Sequence, residues 1–83
     1  MQLTVKYFAS IREAIGQGSE SRETTAQTVA ALRDELLATS PAHAQALARG
    51  KSVRAAVNQL MSSESAALSE GCEVAFFPPV TGG

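Results

Sequence analysis

The chain has 83 residues, 45% of them hydrophobic and 18% charged, which suits one globular domain with a modest core and little room for an enclosed active site. A net charge of −1 and a pI of about 5.7 argue against a nucleic-acid binder. One cysteine allows no internal disulfide, no apolar run reaches membrane-spanning length, and the N-terminus lacks the pattern of a signal peptide, so a cytoplasmic protein without a membrane partner is expected.

Gln2 to Phe8 alternates, with Leu3, Val5 and Tyr7 on one face and Gln2, Thr4, Lys6 and Phe8 on the other. That pattern predicts a strand with one buried face. Ser10 followed by Glu13 fits a capping box opening a short helix to about Ile15, stopped by Gly16 or Gly18. Glu20 to Thr25 is polar and fits a strand only at a sheet edge. Thr28 is the expected N-cap of the main helix. Val29, Leu32 and Leu36 recur there at helical spacing, with Leu37 beside them and Arg33, Asp34 and Glu35 facing away. Ser40-Pro41 suits the start of a second, alanine-rich helix to about Arg49, ended by Gly50. Val53, Ala55 and Val57 alternate within Ser52 to Asn58, a third strand. Ser62 to Ser69 reads as a loop with room for one helical turn. Ser69-Glu70-Gly71 then turns into the last strand, Cys72 to Phe77.

The order strand, strand, helix, strand, strand predicts an α+β sheet with one main helix across one face and small helical inserts. The first and last strands are among the most apolar, as a central parallel pair should be.

Candidate catalytic groups are few. His43 sits in the alanine-rich helix, expected to be exposed, with no Cys, Asp or Glu at metal-ligand spacing, so no metal site is expected. Cys72 stands beside Glu73, the wrong neighbour for a reactive thiol, and reads as a small structural residue. No serine lies in a nucleophile-elbow pattern, and Gly16-Gln17-Gly18 lacks the lysine of a phosphate loop. A partner is therefore expected to supply the active site.

Surface features remain. With a helix on one sheet face only, one of Phe76 and Phe77 should be core and the other near the surface; the alternative is that both are buried at the strand end. An exposed phenylalanine there would anchor a partner. Arg12 follows the first strand and is open to two readings, a pair with a partner carboxylate or an ordinary solvated arginine.

The end of the chain is Pro78-Pro79-Val80-Thr81-Gly82-Gly83. Proline donates nothing to a ladder, so pairing should stop at Phe77, and two prolines favour an extended, fairly stiff spacer. Two glycines without β-carbons make a tip thin enough to thread a narrow channel and present the terminal carboxyl carbon. The expected division is a domain over 1–77 and an arm over 78–83.

Val74 to Gly83, reading Val-Ala-Phe-Phe-Pro-Pro-Val-Thr-Gly-Gly, resembles the C-terminus of the molybdopterin synthase small-subunit family, the MoaD type of sulfur carrier. Leu68 to Gly71, Ala56 to Gln59 and Tyr7 to Glu13 extend the resemblance along nearly the whole chain. Cys72 departs from the pattern, where the family usually carries aspartate. The resemblance implies a ubiquitin-like β-grasp fold. It implies that Gly83 is adenylated by an E1-like enzyme (MoeB type) using ATP, with no cofactor held by this chain itself. Sulfur transfer then makes a C-terminal thiocarboxylate. Inserted through Pro78, Pro79, Val80, Thr81 and Gly82 into a large subunit (MoaE type), it would donate sulfur to a cyclic pterin precursor. Phe77, Phe8 and Arg12 would touch the partner, and two small and two large subunits would form a heterotetramer. The same fold and Gly-Gly end also suit a ubiquitin-like protein modifier, or the thiamine-pathway carrier, which is typically shorter and lacks the proline arm. A plain interaction module that ends in two glycines by chance is the remaining alternative.

Overall fold

A computed structural model describes residues 1–79. The expectations for Val80, Thr81, Gly82 and Gly83 lie outside the described residues. The elements are β1 (Gln2–Tyr7), α1 (Ala9–Ile15), β2 (Ser19–Glu23), α2 (Val29–Leu37), α3 (Pro41–Ala46), β3 (Arg54–Val57), β4 (Leu60–Ser62) and β5 (Glu73–Phe77). The strands form one mixed sheet in the order β2-β1-β5-β3-β4, the ubiquitin-like β-grasp arrangement. β1 and β5 are parallel neighbours and every other pairing is antiparallel.

The alternation in β1 fixes which face is inside. Leu3, Val5 and Tyr7 are buried and meet Val74 and Phe76 of β5 and Ala55 of β3. Val29, Leu32 and Leu36 of α2 close over them, joined by Ile11, Ala46 and Leu47. Each large side chain buried in this way contributes about 1.5–3 kcal/mol. Thr28 caps α2 by accepting from the Ala31 N–H, and Ser40 caps α3 through the His43 N–H, with Pro41 in the first turn. Gly16 ends α1 at φ 90°, a conformation that favours glycine. Cys72 is a free thiol packed into the core just ahead of β5.

Several expectations need correction. The N-cap of α1 is Phe8, not Ser10, and no side chain caps it. The helix starts earlier because the Phe8 carbonyl already accepts from Ile11 and Arg12, so Ser10 lies inside the first turn. α3 stops at Ala46 instead of Arg49, and Gly50 closes nothing. β5 begins at Glu73, one residue past Cys72. β3 is shorter than the expected Ser52 to Asn58, but its alternation holds: Ala55 belongs to the core with Val53 and Val57 packed against it, while Ala56 is buried on the other face.

β4 was not expected at all. It pairs with β3 through a tight turn at Asn58 and Gln59, which have φ of 50° and 69°. Asn58 also extends the ladder, since its side-chain Oδ1 accepts from the Glu73 N–H at 2.9 Å. The loop before β5 makes one isolated bridge, Ala67 to Thr28, in place of a helical turn.

Arg33 does not face solvent. It is 3% exposed and clamps the segment after α3: Nε donates to the Leu47 carbonyl at 2.8 Å, Nη2 to Ala48 at 2.7 Å, and Nη1 to Glu64 at 3.0 Å. A buried guanidinium is tolerable because its donors meet acceptors in a planar fork.

His43 is also buried, not exposed. Its Nε2 lies 3.0 Å from Glu20 Oε2 and its Nδ1 lies 2.7 Å from Ser40 Oγ. The ring stands edge-on to Tyr7, whose hydroxyl donates to the same Glu20 carboxylate at 2.8 Å. Burial and the Glu20 bond push the Tyr7 phenol well above its ordinary range. Burial alone would raise Glu20, but hydrogen bonds from His43 and Tyr7 outweigh it and hold the carboxyl below its usual range. The cluster therefore pins β2, a polar edge strand, to β1 and α3.

Candidate functional site

The parallel pairing of β1 with β5 brings the carboxyl ends of both strands to the same edge of the molecule. Tyr7 stands opposite Phe76, and the Phe8 N–H donates to the Phe76 carbonyl at 3.2 Å. Phe8 and Phe77 each follow a core residue by one position, so both turn to the sheet face away from α2. Arg54 stands directly opposite Phe77 across the β3–β5 ladder and shares that face. Phe76 is wholly buried and Phe77 half-buried, so the reading with one core and one surface phenylalanine holds.

Phe8 is 45% exposed, a high figure for a phenylalanine. The next row on the same face runs Lys6, Ala75, Ala56, Met61, and Met61 is 65% exposed. The two alanines leave a shallow apolar surface bounded by Phe8, Phe77 and Met61. Lys6 at its far side is held by Glu73 at 3.2 Å.

The chain leaves the sheet at Pro78, since proline supplies no ladder donor. Pro78 borders a small cleft formed by Ser10, Ile11 and Ala14 of α1, Ala46 of α3 and the segment 51–53. Pro79 borders a second, more polar groove lined by Arg33, Arg49, Lys51, Arg54 and Glu64. Pro78 thus sits between α1 and the α3–β3 connection and Pro79 beside that connection alone, which the Arg33 clamp holds in place.

Arg12 lies on α1 and is exposed, with its guanidinium over Gly18. A β-carbon added at Gly18 would come within 3.2 Å of the Arg12 Nε, so glycine there gives the arginine its seat. No carboxylate lies within ion-pair distance of Arg12 among the described residues. Arg12 and Phe8 belong to the same first turns after β1, on the side of the molecule where the arm emerges.

Sequence reasoning did not single out Lys51, Arg54 and Met61, which share this region. Arg54 was visible only as the polar alternate of the third strand. Its place opposite Phe77 depends on the β3–β5 register, which no short-range pattern carries. Among the described residues no three His, Cys, Asp or Glu side chains are placed to hold a metal ion. Among the described residues no helix is long and apolar enough to cross a membrane. What the geometry brings together is an apolar patch, a proline root in a cleft, and cations around it.

Comparison with known proteins gives a consistent picture. The model of the ThiS family matches residues 5–83. The chain is 46% identical over 81 residues to the molybdopterin synthase sulfur carrier subunit of Escherichia coli K12, covering 98% of this chain and 99% of that protein. It is 41% identical to the subunit of the same name from Haemophilus influenzae, again over 81 residues with 98% and 99% covered. Among solved structures, the small archaeal modifier protein SAMP1 of Haloferax volcanii superposes with a TM-score of 0.77 at 26% identity, with both chains fully covered.

Proposed function

The chain belongs to the ThiS family, and from that premise we propose that it is the sulfur carrier subunit of a molybdopterin synthase, with Gly83 as the carrying residue. The observation that carries this reading is the 46% identity over 81 residues to a protein of that function. It is joined to a sequence that runs from a core strand through Pro78-Pro79 to Gly82-Gly83.

A carboxylate is a poor electrophile. Attack of the Gly83 carboxylate on the α-phosphorus of ATP releases pyrophosphate and leaves an acyl-adenylate, in which the same carbon has a good leaving group. An E1-like adenylating enzyme (MoeB type) supplies that site. Sulfur delivered to the carbon displaces AMP and gives a thiocarboxylate, a soft and strong nucleophile. The large subunit (MoaE type) then takes the arm, and the sulfur adds to an electrophilic carbon of the cyclic pterin precursor, joining the two through a thioester. Water cleaves the acyl C–S bond of that thioester, which leaves the sulfur on the pterin as a thiol and returns the Gly83 carboxylate. In this scheme the described residues bind and aim and perform no chemistry themselves.

Their contribution follows from their placement. Phe8 and Phe77 give a partner an apolar anchor beside the arm. Pro78 and Pro79 reduce the arm's freedom before docking, which lowers the ordering cost of binding. Two small and two large subunits make the working assembly. Deleting Gly82 and Gly83 tests the scheme: the truncated chain should fold, bind the large subunit and make no molybdopterin. Retained activity would sink it.

A second reading has one observation in its favour, the likeness to the archaeal modifier protein at 26% identity. A modifier would join Gly83 to a lysine amine of another protein. Adducts linked through Gly83, recovered from cells in place of sulfur transfer, would select it.

A further inference from the structure

We propose that Lys51 and Arg54, at the root of the arm, dock against an acidic face of the large synthase subunit. This rests on the carrier reading above and adds the chemistry of the surface that the partner presents.

The seven Lys and Arg residues divide into two groups. Four are neutralised within the fold: Lys6 by Glu73, Arg22 by Glu35 and Glu20, Arg33 by Glu64, and Arg49 by Asp34 and Glu64. For Arg12, Lys51 and Arg54 no carboxylate lies within ion-pair distance among the described residues. These three are not scattered. Lys51 borders both the Pro78 cleft and the Pro79 groove. Arg54 borders the Pro79 groove and stands opposite Phe77. Arg12 lies on α1, whose N-cap is Phe8.

The Pro79 groove has Arg33, Arg49, Lys51 and Arg54 against one carboxylate, Glu64. Glu64 is already shared between Arg33 and Arg49, so it is not available to the other two. A chain with net charge −1 thus keeps a local positive rim where the arm emerges. Arg12 is the weaker member, because Glu13 lines the same shallow surface.

The character of the rim selects the partner. Lys51 and Arg54 are exposed, Arg54 beside Phe77 of the apolar patch and Lys51 along the proline clefts, a charged margin such as rims a protein interface. Cations at such a rim steer encounter and set register more than they add affinity. A nucleic acid needs several phosphate contacts for useful affinity, and three unneutralised cations on an acidic chain are too few.

The test is association kinetics with the large subunit, at low and at high salt. It compares the wild-type chain with a Lys51→Gln/Arg54→Gln pair and a Lys51→Glu/Arg54→Glu pair, with thermal melts confirming that each is folded. The reversal pair should lose about tenfold or more in association rate at low salt, with dissociation little changed, and the salt dependence should flatten. The neutral pair should fall between. Association within about twofold of wild type for the reversal pair would overturn the proposal, as would a loss confined to the adenylating enzyme. A wild-type chain that does not bind the large subunit would overturn the carrier reading too, and that shows before any variant is compared.

Discussion

The backbone N–H of Phe8 donates to the carbonyl of Phe76 at 3.2 Å, so the first strand ends one residue short of the end of the last. One bond therefore brings together two phenylalanines distant in sequence, Phe8 and Phe77, on the face that the core does not use. The core takes Tyr7 and Phe76; their successors lie outside it.

Phe8→Ala and Phe77→Ala should separate binding from folding. Phe8 is 45% exposed, so its truncation should change stability by no more than about 0.5 kcal/mol. Affinity for the large subunit should fall by about tenfold or more for either variant, as for an anchor at the centre of an interface. Calorimetric titration alongside thermal unfolding checks both.

Arg33 is a stability determinant. Its truncation to alanine strips the Leu47 and Ala48 carbonyls of their donor and loosens the segment behind Pro78 and Pro79. A loss of about 2–4 kcal/mol is expected in urea unfolding, with Arg33→Lys recovering only part of it because an ammonium cannot reproduce the fork.

Acid should weaken the fold through Glu20 and Glu35. For both, burial alone would raise the carboxyl; for Glu20 hydrogen bonds from His43 and Tyr7 outweigh it, and for Glu35 those from Arg22 and Thr24 do. Both therefore lie below the ordinary glutamate value in the folded chain. In the unfolded chain they bind protons first as pH drops. Their contribution is thus present above the unfolded value of about 4.3 and is lost as pH falls through the lower folded values. Melting temperature should decline below that point, and Glu20→Gln should melt lower at neutral pH with a shallower acid decline.

The β3–β4 turn holds Gln59 at φ 69°, where glycine is the favoured residue. Gln59→Gly should relieve the left-handed penalty of about 1–2 kcal/mol against an unfolded-state entropy cost of about 0.4–1 kcal/mol, a net stabilisation read as a rise in melting temperature. A fall would show that the glutamine side chain contributes more than its backbone costs.

Much of the fold is legible in local pattern. Leu3, Val5 and Tyr7 declare one buried face, Thr28 and Ser40 declare helix starts, and Pro78 declares the strand end. The misplaced polar residues share one cause, contacts distant in sequence. Arg33 is polar by type, yet its acceptors come from Leu47, Ala48 and Glu64. His43 is buried because Glu20 and Tyr7 meet it from other strands. β4 was hidden because its turn uses Asn58-Gln59 without glycine, and its Leu60 and Met61 are both exposed, so no alternation marks it. At the site, Phe77 and the arm's start stood out in the sequence, while Lys51 and Arg54 gained meaning only from the register with β5 and the grooves beside the prolines.

The most direct measurement is the intact mass of the chain purified from cells that also make its adenylating enzyme. A sulfur carrier predicts a population heavier by the difference between sulfur and oxygen, absent when Gly83 is deleted. A mass that stays unshifted under those conditions, with other proteins carrying the chain on their lysines through Gly83, would contradict it.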